Sequence, residues 1–194
     1  DDAEAIAQRA GKGKRALLLG GGLVSLKAAY ALHKLGLEIT LVVASNRILS
    51  QMLDKEGAEI VAARLAENGL VVYFQSDVTE IHGNGSGVKG VTLADGRELE
   101  TDLVLVGKGV KPVTSFLEGS GLAVENGIPT DEQLQTNLPD IYAAGDVALC
   151  RDMVLMKPAN NALWLSAAEQ GEIAGANMSG EQLSYSGSIR MNAT

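Results

Sequence analysis

The sequence predicts an α/β protein built on a parallel sheet, and three observations carry that expectation. Residues 16–19 (ALLL) are an apolar run too short for a helix and suited to a strand buried on both faces. Gly20, Gly21 and Gly22 follow at once, and a helical pattern of apolar residues begins directly behind them. Two more strand-like runs, 38–43 (EITLVV) and 70–74 (LVVYF), flank a second helical stretch, so the spacing reads βαβαβ.

Taken in order, residues 1–10 read as an acid-led helix with Ala3, Ile6 and Ala10 on one side, stopped by Gly11-Lys12-Gly13. The helix after the glycines runs to about Leu35, with Val24, Ala28, Ala31, Leu32 and Leu35 expected on its buried face and Gly36 as its stop. Residues 44–50 read as a loop. The next helix spans about 54–67, with Ile60, Val61 and Leu65 inward and Asn68-Gly69 at its end. Short strands at 78–81, 88–93 and 97–99, separated by Gly/Asn- and Asp-Gly-containing turns, predict an antiparallel meander. Residues 102–106 (DLVLV) return as a buried strand that ends at Gly107. Pro112 disfavours helix at Lys111, which marks an exit near 109–112. Beyond it the pattern gives a short helix near 115–118, a hairpin-like piece at Asn126-Gly127 and an apolar strand at 141–144. A long Ala-rich helix covers 160–178, with Leu163, Ala167, Ile173 and Ala174 apolar, and a polar, loose tail starts at Ser179.

Composition narrows the function classes. The chain of 194 residues carries a formal net charge of −8 and no basic stripe, which argues against nucleic-acid binding. No apolar run approaches the length of a membrane span and no signal peptide is visible. A single cysteine, Cys150, excludes a disulfide within the chain and makes a cytoplasmic setting the default. No metal-ligand spacing occurs, and His33 and His82 have no partner pattern.

A strand, a glycine turn and a helix form the context in which a G-x-G-x-x-G pattern has a mechanism. Gly20 turns the chain, Gly22 lets backbone approach a pyrophosphate, and the helix start at Leu23 and Val24 offers N–H groups and a positive dipole end. The third position holds Ser25, a small residue where helix packs on strand. A plain βα turn is the alternative.

Three motifs in this order resemble the pyridine nucleotide-disulfide oxidoreductase family: Gly20-Gly21-Gly22 after a strand, Gly109-Val110-Lys111-Pro112 after the meander, and Thr136 followed by Ile141-Tyr142-Ala143-Ala144-Gly145-Asp146. The NADH oxidase, nitrite reductase and rubredoxin reductase type is the nearest in pattern, and the resemblance covers nearly the whole chain. It implies a Rossmann-like NAD(P)-binding domain at 12–110 and the C-terminal part of an FAD-binding domain at 111–182, with 1–11 as a crossing helix and 183–194 opening a third, interface domain. On that pattern a first FAD segment would precede Asp1. The resemblance further implies FAD and NAD(P)H as cofactors, hydride passing from nicotinamide to flavin, an unidentified electron acceptor and a homodimer. A non-catalytic NAD(P)-binding module is the alternative from another class.

The resemblance assigns Gly20, Gly22, Leu23, Val24 and Ser25 to the dinucleotide pyrophosphate and Gly107 to the same mouth. The end of the second strand should read the adenosine ribose. Val43 stands there instead of an acid, while Ser45, Asn46 and Arg47 follow, so NAD against NADP stays open with a lean away from strict NAD use. Arg47 as a solvated surface residue is the alternative. Gly145 and Asp146 are implied to meet the flavin ribityl and pyrophosphate side, although Gly-Asp after a strand also reads as a helix N-cap. The helix from about Asn160 would aim its N-terminus at the flavin, with Trp164 near that edge or in a core. Lys27 reads as an exposed helix lysine and Cys150 as an inert small hydrophobe. No catalytic residue is assigned.

Overall fold

In the computed structural model, residues 2–11 and 14–189 are described; the expected helix stop at Lys12-Gly13 and the positions 190–194 of the expected third domain lie outside them. The chain divides into two compact units, Asp1–Gly109 and Val110–Thr194.

The first unit grows from β1 (Arg15–Leu19), whose apolar side chains are buried from both sides. It pairs in parallel with β2 (Glu38–Val43) on one edge and β7 (Leu103–Val106) on the other; β3 (Val71–Phe74) extends the sheet to the order β3-β2-β1-β7. Alternation along a strand sends Ala16 and Leu18 to one face and Leu17 and Leu19 to the other. On the first face Ala16, Leu18, Ile39 and Leu41 pack with Ala29 and Leu32 of α2 (Leu23–Lys34) and Ala58 of α3 (Lys55–Glu67). On the second face Leu17, Leu19 and Val42 meet Val91 and Leu93. Those two belong to β5 (Gly87–Leu93) of the antiparallel meander β4 (Val78–Asn84), β5 and β6 (Glu98–Glu100). A fully buried aliphatic side chain contributes about 1.5–3 kcal/mol, so this doubly covered strand is the rigid base of everything attached to it.

Three expectations for this unit change. α2 buries Ser25, Ala29 and Leu32, while Val24 is 71% exposed and Ala31 and Leu35 are exposed too. Small Ser25 and Ala29, at i and i+4, let the helix start lie close on the sheet, and Leu32, at i+7, fills the space behind them as expected. On α3, Val61 and Leu65 pack inward as expected but Ile60 is exposed. The first helix, α1 (Asp2–Ala10), packs Ile6 and Ala10 against the first unit's core as its pattern predicts, but Ala3 is exposed.

The second unit has a three-stranded sheet in the order β10-β9-β8. β8 (Ile128–Pro129) runs parallel to β9 (Ala148–Asp152), so the expected hairpin at Asn126-Gly127 is instead a tight turn, with Glu125 N–H donating to the Gly127 carbonyl at 2.8 Å. The hairpin that does form, β9 with β10 (Lys157–Ala159), has its turn at 153–156 and was not read from the sequence, because Arg151, Asp152 and Lys157 break the apolar pattern. Residues 141–144 are not a strand; Tyr142 makes one isolated bridge to Gln135. α4 (Trp164–Met178) starts later than expected because Leu163 N–H donates to the Asn161 carbonyl at 2.7 Å in a tight turn, Leu163 itself is extended, and the Asn160 and Asn161 side chains bond elsewhere. Residues 179–189 are not loose: Tyr185 is buried in the core with Ile128, Leu134, Cys150 and Ala174, and Asn177 binds Leu183 through both its amide ends.

Candidate functional site

The glycine turn leaves the end of β1. Gly20 has φ +113°, and a Cβ there would collide with the Gly107 carbonyl oxygen. Its N–H donates to the Val42 carbonyl at 2.8 Å. A Cβ on Gly21 would lie 2.8 Å from Val43 Cγ1. Gly22 differs: φ −84° and ψ 174° suit any residue, and a Cβ there would meet nothing within 4 Å. Neither packing nor backbone conformation requires glycine at this position.

Gly22 is also the N-cap of α2, and it gives the helix no side-chain cap; the first turn holds no acid. The first N–H groups of a helix, here those of Leu23 and Val24, have no intrahelical partner, and they carry the positive end of its dipole. The open space beside Gly22 and these donors together fit an anionic phosphate. Ser25 is 0% exposed, and its hydroxyl donates to the Gly107 carbonyl at 3.3 Å and lies 3.5 Å from that of Leu19. It packs α2 onto the strand ends and turns inward, away from the open space. Gly107 belongs to the same contact, since a Cβ there would strike Ser25 Oγ.

At the end of β2, Val43 is buried in the core beneath Gly21 and presents nothing polar. The loop after it is tied down: Ser45 Oγ donates to the Arg47 carbonyl at 2.6 Å, Gln75 N–H to that of Ser45 at 3.1 Å, and Leu49 N–H to that of Gly21 at 2.7 Å. Arg47 is not a freely solvated surface cation. Its side chain folds back to donate from Nη2 to the Ser50 carbonyl at 3.3 Å, and its Nε is buried without a hydrogen-bond partner. A buried unbonded donor costs about 1–3 kcal/mol, so this side chain gains from any change of rotamer that brings Nε to an acceptor.

In the second unit Gly145, with φ +78°, and Asp146 form a 3₁₀ turn ahead of β9. The Asp146 carboxylate is exposed and has no partner among the described residues. The backbone around it is held from two directions. Gly145 N–H donates to Gln170 Oε1 at 2.7 Å, and Asn160 Nδ2 donates to the Asp146 carbonyl and, at 3.4 Å, to that of Ala148. Neither amide was singled out from the sequence. The signal for Gln170 was there, since it shares the stripe of Ala167 and Ala174 on α4, three residues after one and four before the other. An exposed acceptor on a fixed turn fits the hydroxyls of a polyol chain such as the flavin ribityl.

Trp164 is 81% exposed at the start of α4, so it is not a core anchor and its indole stays open to a ligand. Two other tempting residues take no part. Lys27 is exposed and without a partner among the described residues. Cys150 is buried, and burial pushes its thiol above the usual range despite the Thr130 hydroxyl 3.4 Å away, which leaves it unreactive. Among the described residues no group of His, Cys, Asp and Glu could hold a metal ion, and no helix is long and apolar enough to cross a membrane.

Residues 1–171 match the model of the pyridine nucleotide-disulphide oxidoreductase family. The chain is 34% identical over 194 residues to the NADH-dependent phenylglyoxylate dehydrogenase subunit epsilon of Aromatoleum evansii, covering 99% of this chain and 46% of that protein. It therefore spans less than half the length of that relative. Among solved structures, an NAD-dependent persulfide reductase from A. fulgidus superposes with a TM-score of 0.89 at 31% identity, covering 97% of this chain and 35% of that one. An engineered water-forming NADPH oxidase bound to NADPH, a five-substitution mutant of the Lactobacillus brevis NADH oxidase, gives a TM-score of 0.87 at 25% identity over 94% of this chain and 40% of its own. The chain is thus a member of the pyridine nucleotide-disulphide oxidoreductase family, with a Rossmann-like α/β fold.

Proposed function

We propose that this chain is the dinucleotide-binding part of an FAD-dependent oxidoreductase that takes electrons from NAD(P)H and passes them to a separate acceptor. When bound, the cofactors supply the redox chemistry, a hydride moving from nicotinamide to flavin. The chain's own part is binding and orientation. Gly22 admits the pyrophosphate, the α2 start neutralises it, and Ser25 with Gly107 keeps the helix seated on the strand ends. Asp146, on its fixed turn, accepts hydrogen bonds from the flavin's ribityl side.

The observation that carries this reading is Gly22, a glycine that neither its φ nor its surroundings require, placed where an uncapped helix begins. Against a non-catalytic NAD(P) module stands the second feature, the open Asp146 carboxylate on a turn fixed from two sides. The test is direct. The protein at its natural length is purified, its visible spectrum is recorded, and NADH or NADPH is added without oxygen. A bound flavin that bleaches on addition supports the proposal. Tight dinucleotide binding with no flavin in the protein would favour the non-catalytic module.

The cofactor lean is toward NADP. Val43 offers no carboxylate to a ribose hydroxyl, and Arg47, whose carbonyl accepts from Ser45 Oγ, carries an unbonded Nε. The engineered NADPH oxidase supports this by analogy: its five substitutions replace an aspartate by alanine and introduce two arginines and a serine.

A further inference from the structure

We propose that Gln170 is the positioning residue that holds the Gly145–Asp146 turn in the shape that meets the flavin. The inference rests on the flavin reading of Asp146 given above.

Gln170 lies inside α4 on its buried stripe and is 3% exposed. Burying an amide is unfavourable unless both ends are bonded, and both are. Oε1 accepts from Gly145 N–H at 2.7 Å, and Nε2 donates to the Tyr185 hydroxyl at 3.2 Å. Tyr185 is itself fixed, its N–H donating to the Glu132 carbonyl at 2.7 Å. The first bond matters most for the turn. Gly145 sits at φ +78°, a left-handed conformation that the chain does not need to keep, and one side-chain acceptor fixes it there. Ala167, one turn earlier on α4, leaves room, since a Cβ on Gly145 would still clear its methyl by 3.5 Å. Asn160 holds the far side of the same turn. With its backbone fixed, the Cα–Cβ bond of Asp146 has a set direction, so the unbonded carboxylate can swing only within a small region and ordering it against a ligand hydroxyl costs less.

The competing role is purely structural: Gln170 would only tie the 181–189 segment to α4 through Tyr185. The two bonds of the one amide separate these roles. Gln170→Met removes both, Tyr185→Phe removes the outer bond alone, and Gln170→Glu keeps an oxygen for Gly145 N–H while Tyr185 donates to it. Flavin release is measured by fluorescence in the protein at its natural length, and dinucleotide affinity is measured beside it.

Gln170→Met should raise the FAD dissociation constant about tenfold, the size expected for one lost hydrogen bond that orders a ligand acceptor. Gln170→Glu and Tyr185→Phe should stay within about threefold of wild type, and dinucleotide affinity should not change. Where the Met variant does not fold, Gln170→Asn, one methylene short of Gly145, replaces it. The proposal is overturned if Gln170→Met (or Asn) binds FAD as wild type does, if Tyr185→Phe weakens FAD equally, or if Gln170→Glu gives no rescue. A wild-type protein without flavin, or Asp146→Ala with undiminished FAD affinity, would instead overturn the flavin reading of Asp146, and this inference with it.

Discussion

A Cβ added at Gly21 would sit 2.8 Å from Val43 Cγ1 and 3.3 Å from Ile48 Cα, whereas one added at Gly22 would meet nothing. Adjacent glycines therefore separate folding from binding. Gly21→Ala is expected to lower stability by about 1–3 kcal/mol through overpacking, read as a lower midpoint in thermal unfolding. Gly22→Val should leave that midpoint nearly unchanged and abolish binding of NADH and NADPH, because the branched side chain occupies the open space. Wild-type affinity in that variant would place the phosphate site elsewhere. Arg47 is tested in the same way. A charge-assisted contact is worth about 1.5–3 kcal/mol and salt screening lowers it, so Arg47→Ala should weaken NADPH about tenfold and leave NADH nearly unchanged. Equal losses for the two cofactors would make Arg47 a structural residue of its loop.

At the scale of elements, Asp102 joins the starts of β1 and β7. Its Oδ2 accepts from Lys14 N–H at 2.9 Å and Arg15 N–H at 3.0 Å, and these bonds, Lys14 first, hold its carboxyl below the usual carboxylate range. A depressed folded-state pKa adds stability above the unfolded value of about 4 and loses it as pH falls through the folded one. Asp102→Asn should therefore cost stability at pH 7, near the lower end of about 1–3 kcal/mol because the side chain is a third exposed. The gap from wild type should narrow steadily below about pH 4. Denaturant unfolding at several pH values checks it, and a gap independent of pH would rule out the carboxylate as its source. Elements also show where the sequence was legible. The strands of the first unit and both its later helices stood out, because apolar runs and glycine stops are local signals. The buried face of α2 did not, because Ser25 earns its place through Gly107, a partner far along the chain. For Gln170 the place on the buried stripe of α4 was legible but the role was not, because its partners, Gly145 and Tyr185, lie in other segments.

For the whole molecule, the two units have separate hydrophobic cores. The first, with helices on one face of its sheet and the meander on the other, should fold without the second. Residues 1–109 expressed alone are expected to unfold cooperatively and to bind dinucleotide as the 194-residue chain does; a non-cooperative transition would contradict this. The 194-residue chain is not expected to keep FAD by itself, since Asp146 and its turn supply few of the contacts that so large a cofactor needs; stoichiometric yellow flavin in that chain would contradict it. The β9–β10 hairpin was not legible because Arg151, Asp152 and Lys157 break the apolar pattern, and the anchoring of residues 183–189 was not because its partners lie in other segments.

β1 is paired along both edges and covered on both faces, and the glycine turn leaves directly from its end. In hydrogen-exchange terms, the amides of Leu17 and Leu18 belong to the class that opens only when the whole unit does. The N–H groups of Leu23 and Val24, a few residues away, have no intrahelical partner at the helix start and are expected to exchange far faster. Open donors are thus fastened to a strand that folding holds tightly. An anion arriving there meets donors already set in place by folding, and its binding need spend little conformational entropy to order them.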